Sequence, residues 1–272
     1  MYSWNLAAYS SMTYRKISGS RSEETWLTVA STSASATSGQ YPFKHATSSF
    51  IVLGSPIPLR QHNVFMLPRE FYDRPSLEVA RDLIGKVLVH NRRGVRTSGV
   101  IVEAEAYIGE SDPACHAAPG PTLRNAPLYG PPGYAYVYLN YGIHLLVNVV
   151  TEQKGRPAAV LIRALDPLDG IPVMRRRRAR RVRGRRSGVD VAALATHDLC
   201  RGPGNLTMAM GIGLRENRSD LLGDRLFVEN RGVVVGPIAW GPRIGIRVGT
   251  DHPWRVFVSG HPAVSGSRPR GR

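Results

Sequence analysis

Between Tyr134 and Val150 the chain reads "YAYVYLNYGIHLLVNVV", and this stretch constrains the fold more than any other. Tyr134, Tyr136 and Tyr138 alternate with Ala135, Val137 and Leu139, the period-two pattern of a strand, and "IHLLVNVV" reads as its partner. Only "LNYG" intervenes. Asn and Gly tolerate the positive φ of tight hairpin turns, so the simplest arrangement is a β-hairpin with Tyr141 near its tip. A tip residue points away from the core. An aromatic ring there either lies on its own sheet or meets a partner, and the candidate partners are a protein groove, a lipid surface or stacked bases.

A second alternating run, "GVIVEAEAYIG", spans Gly99 to Gly109. Val100, Val102, Ala104 and Ala106 take one face, which leaves Ile101, Glu103, Glu105 and Tyr107 on the other. Two carboxylates and a phenol then share a face. On an edge strand that face would simply be solvated; in a buried sheet, the ionised carboxylates require a cationic partner or a shifted pKa. His116 and the lone Arg163 inside the apolar run "AAVLIRAL" favour the buried alternative, because a buried arginine requires an anion. Alternation alone does not choose between Glu103 and Glu105.

Charge narrows the partner. Lys and Arg total 36 against 20 acidic residues, a formal net charge of +16 over 272 residues, which favours nucleic acid or another anionic surface. No apolar run is long enough to span a membrane. Cys115 and Cys200 are the only cysteines, so neither a disulfide framework nor a cysteine-rich zinc site is available, as suits a reducing cytoplasm. His116, His144, Glu103 and Glu105 lack the compact spacing of zinc motifs, so no metal and no cofactor is expected.

Residues 1–65 are Ser/Thr-rich and weakly periodic, and are read as a disordered leader or an over-long start, with organelle targeting as the alternative; order is expected from Met66. In "MLPREFYDRPSLEVARDLIGKVLVH", Ser76 can cap a helix carrying Leu77, Ala80, Leu83 and Ile84 on one face, which Gly85 ends. A single α/β domain is expected over 66–262, followed by a flexible tail at 263–272. "MRRRRARRVRGRR", with nine arginines between Arg175 and Arg186, is read as a disordered basic loop that adds nonspecific DNA attraction. "CRGPGNLT" can open a helix with Pro203 in its first turn.

Seven blocks occur in order: "EFYDRP", "ARDLIGKVLV", "IVEAEAYIGESDPACHA", "LRNAPLYGPPGYAYVYLNYGIHLLVNVV", "VLIRALDPLDG", "LCRGPGNL" and "PRIGI". Together they resemble the alkyladenine, or 3-methyladenine, DNA glycosylase family over roughly Leu67 to Ser259. The resemblance implies an α+β domain with a mostly antiparallel curved sheet, flanking helices and a protruding hairpin. It also implies excision of alkylated purines from double-stranded DNA by a cytoplasmic, nucleoid-associated monomer. By the same correspondence Glu105 is the general base that activates a water, and Arg163 and the carbonyl of Ile244 help hold that water. Tyr107, His116, Tyr138 and Asn148 form the pocket for a flipped nucleotide, and Tyr141 is the wedge that fills the gap in the duplex. "GPTLRN" departs from the family pattern with Pro121 and Leu123, which removes a phosphate contact at residue 121. A strand-cleaving amine is not expected, since Lys86 and Lys154 fall in no site motif. Two other classes stand beside this one: a nucleic-acid-binding module without chemistry, and a metal-dependent nuclease using Glu103 and Glu105.

Overall fold

The computed structural model describes residues 9–16, 26–33, 65–182 and 194–266. The chain divides into two units, Met1–Ile57 and Pro58–Arg272. In the first, β1 (Tyr9–Lys16) and β2 (Trp26–Ser33) form an antiparallel pair. The rest of the leader, residues 183–193, which include the end of the arginine-rich segment, and the last six residues lie outside the described set.

The second unit is built on a curled antiparallel sheet. Its strands are β3 (Phe65–Met66), β4 (Val87–Arg92), β5 (Val95–Tyr107), β6 (Ala135–Asn140), β7 (His144–Thr151), β8 (Ala158–Pro167), β9 (Leu226–Asn230), β10 (Ile238–Gly241) and β11 (Arg255–Val258). The spatial order is β3-β9-β4-β5-β8-β7-β6, with β11 also pairing β5 and β10 pairing β11. The long β5 organises the sheet: β8 runs along one edge, while β4 takes the first half of the other and β11 takes Glu103 to Glu105. The β5–β8 ladder slips in register at Glu103, and such irregularities bend a strand.

The helices are α1 (Arg69–Tyr72), α2 (Ser76–Leu83), α3 (Ile171–Val182) and α4 (Pro203–Met210). The expected helix at Ser76 forms, but Ser76 does not cap it; its hydroxyl meets Thr151 Oγ1 at 2.7 Å and donates to Glu152 Oε1 at 3.0 Å. Val79, Ala80 and Leu83 form its buried face, with Leu77 only partly covered. They belong to the main core together with Val87, Ile101, Ile162 and Leu165. Pro203 opens α4 as expected, with its missing N–H costing nothing in the first turn.

The arginine-rich segment corrects its reading as a loop, since residues up to Val182 form α3. Arg177 Nη1 donates to the carbonyls of Ala209 (3.0 Å) and Met210 (2.6 Å), and Arg178 Nη1 donates to those of Asp198 (3.1 Å) and Leu199 (2.5 Å). These guanidiniums satisfy carbonyls at the end of α4 and in the turn before it, a role charge counting does not reveal.

Candidate active site

β5 lies inside the sheet with neighbours on both edges, and from Thr97 to Ala106 every residue is buried. The solvated-edge reading of Glu103 and Glu105 is thereby overturned: both are fully buried. Arg163, on the facing strand β8, lies between them, with Nε 3.2 Å from Glu103 Oε1 and Nη1 3.2 Å from Glu105 Oε1. Carrying ions into such a place costs several kcal/mol each, so the geometry must return a full set of partners.

The two carboxylates differ in what surrounds them. Glu103 also accepts from Arg255 Nη1 (3.0 Å), from the Ser265 amide (2.8 Å) and from the Ser265 hydroxyl (2.9 Å). Its oxygens are taken by structural donors. Glu105 Oε1 accepts from the amide of Ile244 at 2.7 Å, and Oε2 accepts from Tyr107 Oη at 3.0 Å. Burial pushes the Glu105 carboxyl above the ordinary value of 4.5, against the pull of Arg163, the Ile244 amide and the Tyr107 hydroxyl. Such a group loses and takes up a proton closer to neutral pH than a surface carboxylate does.

Arg163, Ile244 and Tyr107 also line a cavity of about 560 Å³, together with His116, Tyr138 and Asn148. His116 is placed by an Asn125 Nδ2 bond to its carbonyl (2.8 Å) and by Tyr136 Oη on its Nδ1 (2.9 Å). Its ring meets that of Tyr138 at 4.4 Å and 64°, and Tyr138 stacks on Tyr136 at 5.2 Å. Burial, aided by Arg124, lowers the His116 pKa below 6.5, so the imidazole is neutral at pH 7. Burial pushes the Tyr136 hydroxyl up to about 12 and raises those of Tyr107 and Tyr138 further, leaving all three as phenols. Asn148 faces Tyr136 across the β6–β7 ladder and donates from Nδ2 to its carbonyl at 3.1 Å. On its tyrosine and histidine side the lining is thus aromatic and uncharged, and it is bordered by the ion-paired Arg163 and by exposed Arg247.

The hairpin forms as its sequence predicts. Asn140 pairs with His144, and the Ile143 amide donates to the Asn140 carbonyl at 3.0 Å. The two central residues have positive φ, 48° for Tyr141 and 68° for Gly142, as the mirror-image turns of hairpins require. For glycine this conformation is free; for tyrosine it is uncommon and strained. Tyr141 is 74% exposed at the cavity mouth, between exposed Leu139 and Ile143.

Of the residues assigned to the site by the sequence reading, Tyr107, His116, Tyr138, Tyr141, Asn148, Arg163 and Ile244 line the cavity, and Glu105 lies behind them, bonded to Tyr107, Arg163 and Ile244. Other contributors had no signal in the pattern. Arg243 is buried in an ion pair with Asp112 (Nη2 to Oδ1, 2.8 Å), donates to the Ala106 carbonyl (3.1 Å), and lies between the rings of Tyr107 (4.7 Å) and Trp254 (4.9 Å). It fixes both the Tyr107 wall and the chain next to Ile244. Ser265 falls in the stretch expected to be a loose tail, yet it binds Glu103, and Ala263 and Val264 before it are buried. Only spacing-independent long-range contacts bring these residues in, and no local periodicity encodes them.

Among the described residues, no group of three or more His, Cys, Asp or Glu side chains is disposed to hold a metal ion, and no helix is long and apolar enough to cross a membrane. A model of the family described as methylpurine-DNA glycosylase matches residues 70–262. Proteins carrying the name "Putative 3-methyladenine DNA glycosylase" are similar over about three quarters of the chain. One from Methanocella arvoryzae is 46% identical over 208 residues, covering 75% of this chain and 98% of its own length. Another from Chlorobaculum parvum is 44% identical over 204 residues (74% and 91%), and one from Burkholderia cenocepacia is 45% identical over 208 residues (75% and 93%).

Proposed function

Because the chain belongs to the methylpurine-DNA glycosylase family, and so acts as a DNA glycosylase on alkylated bases, we propose that it excises alkylated purines of the 3-methyladenine type by base flipping and hydrolysis at Glu105. The observation that carries this reading is the environment of Glu105: a buried carboxylate held by Arg163, the Ile244 amide and Tyr107, three residues that themselves line the cavity.

A base cannot be attacked at its glycosidic bond inside the stack, so the nucleotide rotates out into the cavity while Tyr141 enters the gap. The phenol faces of Tyr107 and Tyr138 bind a purine made cationic by alkylation better than a neutral one. A neutral His116 adds no opposing charge. Water attacks C1′ of the sugar and gives its proton to Glu105; the bonding electrons leave with the purine and neutralise its positive charge, so the leaving group needs little protonation. The Glu105 carboxylate also stabilises the oxocarbenium-like sugar, as in glycoside hydrolysis. With no lysine among the cavity residues to form a covalent adduct, the product is an abasic site in an intact strand. One chain carries the cavity, the carboxylate and the hairpin, so a monomer suffices.

The alternative nuclease reading needs both carboxylates on one metal, but the Glu103 oxygens are occupied by Arg163, Arg255 and Ser265. The test is to incubate the protein with methylated duplex DNA in the presence of a chelator. Free methylpurine should appear together with alkali-labile sites and without direct strand breaks. Absence of released base, or cleavage that the chelator abolishes, would overturn the reading.

A further inference from the structure

We propose that the segment Ala263–Gly266 is a positioning strap for the hydrolytic centre, and that Ser265 is the residue through which it sets Arg163; this rests on the reading of Glu105 as the base. The segment lies beyond the part of the chain matched by the family model, which ends at residue 262. Buried Ala263 and Val264 seat it, and Arg201 Nε donates to the Val264 carbonyl at 3.0 Å.

Ser265 then reaches the centre through three bonds. Its amide and hydroxyl donate to the two oxygens of Glu103, at 2.8 and 2.9 Å, and its hydroxyl oxygen accepts from Arg163 Nη2 at 3.1 Å. The guanidinium is planar, and each of its nitrogens has a different anchor: Nε on Glu103, Nη1 on Glu105 and Nη2 on Ser265. Three separate anchors fix the orientation of the plane, and with it the nitrogen that faces Glu105. Removing the Ser265 hydroxyl frees one corner of that plane.

The next residue lies against the side chain of Ile244. Gly266 has φ +83°, and a Cβ built there would fall 2.8 Å from Ile244 Cδ1. Glycine therefore lets the strap lie against the residue whose amide holds Glu105 Oε1. The strap thus bonds the guanidinium that faces that oxygen and packs on the side chain of the residue whose amide holds it.

An ordinary packed terminus would affect stability alone, whereas a positioning strap affects the rate and its pH dependence. The groups facing Glu105 are Arg163, Tyr107, the Ile244 amide and, more distantly, Glu103, Arg243 and Tyr138. With Arg163 less firmly held, the carboxylate is less favoured and the acid limb of the rate moves to higher pH. The experiment uses the full chain with Ser265→Ala, Ser265→Thr and Gly266→Ala, measuring single-turnover base release from methylated duplex against pH, affinity for a duplex holding an uncleavable abasic analogue, and melting temperature. Ser265→Ala should lose about tenfold in rate, a modest share of what a misplacement of about 1 Å can cost. Its acid limb should rise, its affinity should stay unchanged, and Ser265→Thr should restore the rate and the limb. Gly266→Ala should lower the rate through Ile244 with every Ser265 contact atom in place, and it decides the matter if Ser265→Ala is recovered unfolded. A folded Ser265→Ala protein with wild-type rate and limb overturns the strap, as does a loss that Thr does not restore. A wild-type chain that releases no base overturns the hydrolytic reading itself and the strap's role with it.

Discussion

Replacing Glu105 by Gln separates chemistry from architecture at this centre. The amide can keep its oxygen where Oε1 accepts from Ile244 (2.7 Å) and faces Arg163 (3.2 Å), and turn its nitrogen toward Tyr107 Oη, which can accept in place of donating. Breaking a buried ion pair costs about 3–5 kcal/mol when the partner is left with an uncompensated charge. Arg163 is not so left, because Glu103 and Ser265 still hold it. The fold should therefore survive with a smaller loss than that. What disappears is a group able to take the proton of the attacking water, worth about a hundredfold to ten-thousandfold for a positioned base. Single-turnover release of methylpurine from duplex DNA measures the rate, and anisotropy on the same duplex measures binding, which should be retained. A Glu105→Gln protein within tenfold of the wild-type rate would refute the assignment. Glu103→Gln provides the contrast: it disturbs bonds to Arg163, Arg255 and Ser265 at once, and should cost melting temperature before anything else.

Tyr141→Ser should lower excision from duplex DNA strongly while leaving binding of the free alkylated base intact, whereas Tyr138→Ala should weaken both; a fluorescent base analogue that is flipped as persistently by the serine variant as by wild type would refute the wedge. Tyr141→Gly should be more stable than Tyr141→Ser, by about 1 kcal/mol, because glycine relieves the strained φ of 48°; equal melting temperatures would show that the turn carries no strain. The rate should rise with pH through the raised Glu105 value, with its midpoint above 4.5, since the ionised carboxylate is the active form; a midpoint at or below 4.5 would contradict the burial argument. Arg177→Ala should cost about 1.5–3 kcal/mol through its two carbonyl partners, while exposed Arg176→Ala should leave the melting temperature unchanged and lower the salt dependence of DNA binding by about one unit of slope. The reverse assignment in melting and salt experiments would show that α3 faces DNA differently.

Local pattern carried much of this site. The hairpin and its tip were legible because period-two alternation and an Asn-Tyr-Gly turn are properties of neighbouring residues, and the strand bearing Glu103 and Glu105 was legible for the same reason. Helix α4 announced itself by Pro203. The arginine-rich segment misled, because charge density speaks for solvent exposure and is silent on carbonyls that only a folded chain brings near, as α4 does for Arg177. Ser76 misled likewise: a capping residue type met a stronger partner in Glu152, 76 positions away.

What the sequence by itself determined, then, is which residues share a strand face, where the chain turns, and, through the resemblance of seven ordered blocks, which chemistry to expect. Alternation put Glu103 and Glu105 on one face and could go no further, because the two are equivalent in period. The tertiary structure distinguishes them by giving Glu103 to Arg255 and Ser265, residues 152 and 162 positions away, and Glu105 to Ile244 and Tyr107, which line the cavity. It also sets Arg243 under Tyr107, 136 positions apart in the chain. Strand periodicity is written in neighbours two apart, but the pKa of a buried carboxylate is decided by whichever charges and donors the closed fold delivers to it, and those arrive from strands and loops that share no local pattern with it.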